Sequence, residues 1–345
     1  MSFRYELLSS TNVKKADLRT VTAGSVEYNS LADIKRTAKF TIVDDGSINF
    51  LSDRIKPYAR LKMPDGGYAE WPLGVFIPTT PPRKADVADV VTREIEAYDL
   101  LQVLVDDKVA DRFTLTTGAN YIASVKSLLD GAGIASQNLT TTDKILPADR
   151  DWDPGTTKLS IINDLLGAIN YRSLWFDENG VAIAQPYVTP EVRASEYVYR
   201  DDDSSVIFPN VQHSLDLFAL PNQWVLYVSE ADRAPLRSVY TNSSPNSPTS
   251  TVNRGRTIVA APEQVDAADQ ATLDALTERR AFESSQVYES VDFETAIAPY
   301  HSDSDVYTLE FSALGLSAKY SETQWDFELK AGGRMRHRIR RVVSV

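Results

Sequence analysis

Apolar and polar residues alternate with a period of two through both ends of this chain, and such stretches fit half-buried β-strands. Ala38, Phe40 and Ile42 alternate with Lys39, Thr41 and Val43. Trp224, Leu226 and Val228 alternate with Val225, Tyr227 and Ser229, and Met335, His337 and Ile339 with Arg334, Arg336, Arg338 and Arg340. "PDGG" at 64–67 is a turn signal between two strands, and "TTPP" at 79–82 breaks the next. Residues 1–98 therefore read as a small β-barrel or sandwich.

Helical spacing takes over in the middle. Ile122, Val125, Leu128 and Leu129 share one face and stop at Gly131 and Gly133. Leu159, Ile162, Leu165, Leu166 and Ile169 mark a second helix, and "DENG" turns a hairpin between "SLWF" and "VAIAQP". Residues 99–195 form a compact α/β unit on this reading. Strands return over 196–345, interrupted by a Ser, Thr, Asn and Pro-rich stretch at 241–256, expected as an exposed loop. A helix is expected over about 262–288, with Pro262 in its first turn and Arg279 and Arg280 late, as the helix dipole prefers. The fold class is α+β, mainly β.

At 345 residues the chain exceeds one ordinary core, so two to four domains are expected. The absence of cysteine excludes disulfides, thiolate metal sites and cysteine catalysis, and three histidines leave little for a His-rich centre. A formal charge of −12 disfavours nonspecific attraction to phosphates. No run of apolar residues suits a membrane span or a signal peptide, so synthesis and folding in a cytosol are expected. The nucleotide and nucleophile signatures GxxxxGK[ST], GxGxxG and GxSxG are missing. No cofactor, catalytic or metal site is expected.

Three polar stretches bear weighing. "HSDSD" sets His301, Asp303 and Asp305 at alternating positions, where three ligands could share one side of an extended segment, although a polar turn is the simpler reading. Asp151 and Asp153 resemble a carboxylate pair for acid–base work, but neighbouring Pro154 and Gly155 favour a solvated turn. Asp201, Asp202 and Asp203 lack the EF-hand register and read as a charged loop. Of the five tryptophans, four lie in or beside apolar runs, and Trp152 alone sits in a Pro/Gly turn.

The closing segment carries the sharpest pattern. Six of 36 Lys and Arg residues fall within its 16 positions, without one acid, whereas the other 329 residues carry 30 basic against 48 acidic side chains. Arg334, Arg336, Arg338 and Arg340 would line one side of a strand, with Arg341 beside them. Nucleic-acid binding calls for further basic residues and interleaved aromatics, and the segment has no aromatic. Contact with carboxylates of an adjacent subunit is favoured over a solvated face.

Several stretches together resemble the hub proteins of phage tails, the late-control-D-like group of tail-tip and baseplate proteins. They are "FTIVDD", "INFLSDRIKPYARLKM", "WPLGVFIPTTPPR", "EIEAYDLLQVLVDDKV", "NYIASVKSLLDGAGI", "GTTKLSIINDLLGAINYRSLWFDENGVAIAQPYV", "LPNQWVLYV" and "IAPYHSDSDVYTLEF" with "WDFELKAGGRMRHRIRR", in an order spanning nearly the whole chain. The resemblance implies a homotrimer with two tail-tube-like β-barrels per chain, in which six barrels ring a channel. It implies a small α/β domain inserted after the first barrel, a helix-bearing insertion in the second, and strands from the second half possible in the first. Implied partners are the distal tail or tube protein, the tape measure protein and a central tip or fibre protein, with DNA only in transit and no membrane. The place implied is the virion tail tip, after synthesis in the host bacterial cytoplasm.

Two other functions compete with this structural role. A tail-associated cell-wall hydrolase would use Asp151, Asp153 or His301 in a cleft; no such domain looks appended before Val345. A nucleic-acid-binding protein would use the arginine strand.

Overall fold

The computed structural model describes residues 1–85, 90–215, 217–218, 220–229, 234–286 and 289–341. Positions 287 and 288 of the expected helix and 342–345 of the closing segment lie outside the described residues.

The first hundred residues form β1 (Ser2–Leu8), β2 (Val21–Asn29), β3 (Arg36–Val43), β4 (Arg54–Lys62), β5 (Tyr68–Pro72) and β6 (Val91–Tyr98). In β3, Ala38, Phe40 and Ile42 are buried and Lys39 is exposed, as the alternation predicts. The "PDGG" turn joins β4 to antiparallel β5. There Gly66 takes φ +87°, a left-handed conformation that glycine adopts without steric cost. β1 pairs with β4, β2 with β3, and β3 with β6, all antiparallel. Ile55 and Ala59 of one sheet share a core with Val26, Phe40 and Ile95 of the other.

The middle section holds α1 (Leu101–Asp106), β7 (Phe113–Leu115), α2 (Tyr121–Gly131), β8 (Arg150–Trp152), α3 (Lys158–Gly167), β9 (Trp175–Phe176) and β10 (Ala182–Ala184). Asn120 caps α2 by accepting the Ala123 N–H at 3.0 Å, and Thr157 caps α3 by accepting that of Ser160 at 3.1 Å. The helix-spaced residues face inward: Val125 and Leu129 share a core with Ile162 and Leu165. The expected hairpin is β9 against β10, its turn held by the Asp177 carboxylate accepting the N–H groups of Asn179 and Val181.

The second half contains β11 (Tyr197–Arg200), β12 (Gln212–Leu215), β13 (Gln223–Val228), β14 (Leu236–Thr241), α4 (Thr251–Arg254), β15 (Glu263–Gln264), α5 (Gln270–Gln286), β16 (Glu289–Ala296), β17 (Val306–Phe311), β18 (Leu316–Glu328) and β19 (Arg334–Arg341). Helix α5 starts later than expected. Glu263 and Gln264 instead run parallel to Leu226 and Tyr227 of β13, and the Asp269 carboxylate accepts the Thr272 N–H at 2.7 Å at the helix start. The stretch 241–256 is less exposed than its composition suggests. Asn242, Ser247, Thr249 and Ser250 are buried, with the Asn242 side chain donating to Ser247 Oγ at 2.8 Å. Their hydroxyl and amide groups satisfy one another, which lets a polar loop fold inward.

One large sheet ties the ends of the chain together. Its order is β12, β16, β19, β18, β2, β3, β6 and then Ile77–Pro78, with β17 also on β18 and β11 parallel to β17. β18 is 13 residues long and serves two cores. Its first half packs Leu316 and Tyr320 with Phe293, Tyr307 and Ile339. Its second half pairs with β2 and packs Trp325 and Phe327 among the N-terminal strands. Between the halves the register against β19 shifts at Glu322/Gln324, a β-bulge. Among the described residues the architecture is mainly β with few helices, and no helix is long and apolar enough to cross a membrane.

Candidate interaction surface and buried polar network

β19 is a strand with one packed face, as its alternation predicts: Met335, His337 and Ile339 are buried, and Arg334, Arg336 and Arg338 are exposed. The carboxylates facing those arginines come from the chain itself. Arg334 meets Glu294 at 2.9 Å, Arg336 meets Asp326 at 3.0 Å, Arg338 meets Asp292 at 2.7 Å and Arg341 meets Glu289 at 2.9 Å. The cause is register, since Asp292 and Glu294 of β16 lie opposite Arg338 and Arg336. The first three are exposed cross-strand pairs, which contribute about 0–1 kcal/mol each, so they adjust surface charge more than they hold the sheet, whereas Glu289 is buried. Arg340 differs: it is half-buried and has no polar partner among the described residues.

The "HSDSD" stretch is a turn before β17, yet it is buried. His301, Asp303 and Asp305 are only 2%, 8% and 6% exposed, and Ser304 takes φ +52°. Asp303 reaches outward to an ion pair with Arg172, while Asp305 turns inward. Asp305 Oδ2 accepts the Ser302 N–H at 3.0 Å and faces His301 Nδ1 at 3.1 Å. His301 Nε2 lies 2.7 Å from the Tyr199 hydroxyl. His301 is thus held on both sides, at Nδ1 by the Asp305 carboxylate and at Nε2 by the Tyr199 hydroxyl.

Glu322 and His337, neither singled out by the sequence, complete this cluster. Thr295 donates its hydroxyl proton to the Ala296 carbonyl at 2.8 Å, so its oxygen must accept from His337 Nε2 at 2.9 Å. His337 Nδ1 lies 2.7 Å from Glu322 Oε1, and with His337 neutral the proton between them sits on Glu322. Tyr307 donates to the other Glu322 oxygen. Charge stability agrees with this assignment. Burial pushes the Glu322 carboxyl up to about 8 and His337 down to about 3.

His301, Asp305 and Glu322 bring three ligand atoms within 4.8 Å, the sole such group among the described residues. A divalent ion would have to displace the hydrogen bonds that these ligand atoms already make with one another and with Tyr307 and His337. The donor set fits a closed hydrogen-bond network better than a cation site.

The other sequence candidates do not converge. Asp151 pairs with Arg112 at 2.6 Å and accepts from the Thr114 hydroxyl across the β7–β8 ladder, while the Asp153 carbonyl closes a turn by accepting from Thr156. Trp152 is buried and donates its indole N–H to Asp164 at 2.9 Å. Asp201 accepts from the N–H and hydroxyl of Ser312, and Asp202 from those of Ser204. These bonds hold both carboxyls below their ordinary values.

No family model matches the sequence, and no curated protein does. Solved structures do. A tail protein from Neisseria meningitidis MC58 superposes with a TM-score of 0.68 at 12% identity, covering 99% of this chain and 97% of that one. The 43 kDa tail protein of prophage MuSo2 from Shewanella oneidensis gives 0.63 at 10%, covering 99% and 98%. The E. coli c3393 protein, a type VI secretion component described as structurally similar to the T4 tail proteins gp27 and gp5, gives 0.55 at 8%, covering 95% and 76%. From end to end, this chain has the fold of phage tail proteins and of their counterparts in type VI secretion.

Proposed function

We propose that the chain is a noncatalytic structural hub of a phage tail tip or baseplate. The observation that carries this reading is the superposition on a tail protein over nearly the full length of both chains. β18 and β19 serving two cores supports a plan of two tube-like barrels per chain: one from residues 1–98 completed by C-terminal strands, the other from 196–345. Residues 99–195 are the inserted α/β domain. Three chains then place six barrels around a channel, with distal tail or tube protein on one side and a tip or fibre protein on the other. Tape measure protein and, later, DNA pass through it. The surplus of acidic side chains discourages DNA from adhering to the wall. Asp151, Asp153 and His301 are engaged in ion pairing, a turn and a closed network, so a hydrolase finds little support in them.

The arginine face of β19 belongs at a seam between copies, where Arg334, Arg336, Arg338 and Arg341 meet carboxylates of a neighbour as well as their own, and Arg340 those of the neighbour alone. Arg336→Glu with Arg338→Glu is expected to shift the chain from trimer toward monomer in multi-angle light scattering. A trimer of unchanged mass in the double variant would remove the arginines from the seam.

A further inference from the structure

A cavity of about 350 Å³ opens where the end of the α/β unit, α5 and the bulged part of β18 meet. Six cations line it: Lys35, Arg172, Arg193, Arg279, Arg280 and Arg340. Four have carboxylate partners. Arg172 pairs with Asp303, Arg193 with Glu196 at 2.6 Å, Arg279 with Glu283 at 2.8 Å, and Arg280 with Glu263 at 2.6 Å. Glu322, on the cavity wall, is engaged by His337 and Tyr307 and pairs with none of these cations.

Two cations are left over. Lys35 is 9% exposed and donates only to the main-chain oxygens of Ser30 at 2.8 Å and Ala32 at 3.0 Å. Arg340 has no partner among the described residues. Burial pushes Lys35 down to about 8, with Arg172 adding to it, and lowers Arg172 to about 10, with Arg193 and Arg279 adding. Asp99 and Asp33 offset the charge on Lys35, and Asp305 that on Arg172, only in part, so like charges crowd the recess and a bound carboxylate would relieve them.

We infer that this cavity receives an acidic side chain of another protein chain, with Lys35 and Arg340 closing on its carboxylate. The rim distinguishes a peptide from a free inorganic anion. Leu31 and Val188 stand 62% and 50% exposed at the edge, beside Pro190. A peptide covers these apolar groups while it delivers the carboxylate, whereas phosphate leaves them wet. The guanidinium fork also suits a carboxylate in bidentate fashion. On a chain of net charge −12, such a recess is a local exception that selects an acidic segment at one place. The inference rests on the tail-component reading only for the presence of a neighbouring chain. Peptide anisotropy reads the cavity and light scattering of the same sample reads assembly, so failure of the one is distinguishable from failure of the other.

The probe is a fluorescein-labelled nonapeptide, Gly-Ser-Leu-Glu-Asp-Glu-Leu-Ser-Gly, followed by anisotropy, with a Gln-Asn-Gln version beside it. The acidic peptide is expected to bind about tenfold or more tightly than the amide version. Arg340→Gln is expected to remove most of that preference, whereas Arg112→Gln, on the α/β unit, leaves it intact. Lys35→Met is a second variant that takes away a buried unpaired charge, and it should melt no lower than wild type while weakening the acidic peptide. Equal binding of the two peptides, or undiminished binding to a folded Arg340→Gln protein, overturns the inference. Inorganic phosphate displacing the peptide at equal concentration also overturns it, in favour of a small-anion site.

Discussion

Glu322→Gln is expected to stabilise the protein progressively as pH rises, by about 3–5 kcal/mol at pH 8.5 relative to wild type, because each tenfold difference in proton affinity between the folded and unfolded carboxyl is worth about 1.4 kcal/mol. The folded chain holds the Glu322 proton up to about 8, whereas an unfolded glutamate releases it near 4.5. A raised carboxyl contributes its stability fully below the unfolded value and loses it as pH climbs through the folded one. Glutamine keeps the same hydrogen bonds at every pH: its amide donates to His337 Nδ1 and its carbonyl accepts from Tyr307. His337 acts with the opposite sign, because its folded value is depressed to about 3 and its contribution is lost as pH falls from about 6.5. That contribution is common to both proteins and cancels in the difference. Urea unfolding at pH 5, 7 and 8.5 reads the gap directly. A gap that does not widen with pH would mean that Glu322 is ionised in the fold and that the proton assignment is wrong.

Trp325→Ala is expected to destabilise by about 3–5 kcal/mol, the usual range for removing a large aromatic from a packed core. Trp325 is 2% exposed, stacks on Tyr28 with ring centres 5.6 Å apart, and lies 5.7 Å from Phe327. It also carries the Arg36 guanidinium 5.7 Å above its ring. Because Trp325 joins the last strands to β2, the loss should be local at first. Amide exchange should quicken in β2 and β3 before it does in α2 and α3. A cost below about 1 kcal/mol would show that the N-terminal strands do not depend on the C-terminal ones for their core.

Much of the fold was legible because the relevant residues obey simple periods. Strand β19 shows this best: its alternation placed Met335, His337 and Ile339 inward and Arg334, Arg336 and Arg338 outward, as observed, with Arg340 half-buried. Helices α2 and α3 followed from their apolar spacing alone, although Asn120 and Thr157, which cap their starts, are cap-forming residue types that also stand in the sequence. The buried network was half legible. "HSDSD" drew attention to His301 and Asp305, but alternation counted back from Trp325 puts Glu322 on the outer face. The bulge at Glu322/Gln324 reverses the parity, and a bulge leaves no signature in a single sequence. The partners of the arginines were missed for a related reason. Asp292, Glu294 and Asp326 become neighbours of β19 only through a strand order that joins distant segments. Pro262 misled because a proline that suits a helix start also suits the approach to a short strand such as β15.

The central claim, that three copies of this chain ring a channel, is tested most directly by the mass and symmetry of the purified protein with its distal tail partner. Light scattering on the chain alone should give about 115 kDa for three copies of 38.3 kDa, and negative-stain averages of the complex a threefold ring around a pore. A monomer of 38.3 kDa that cleaves peptidoglycan and forms no ring with the tail partner would contradict it.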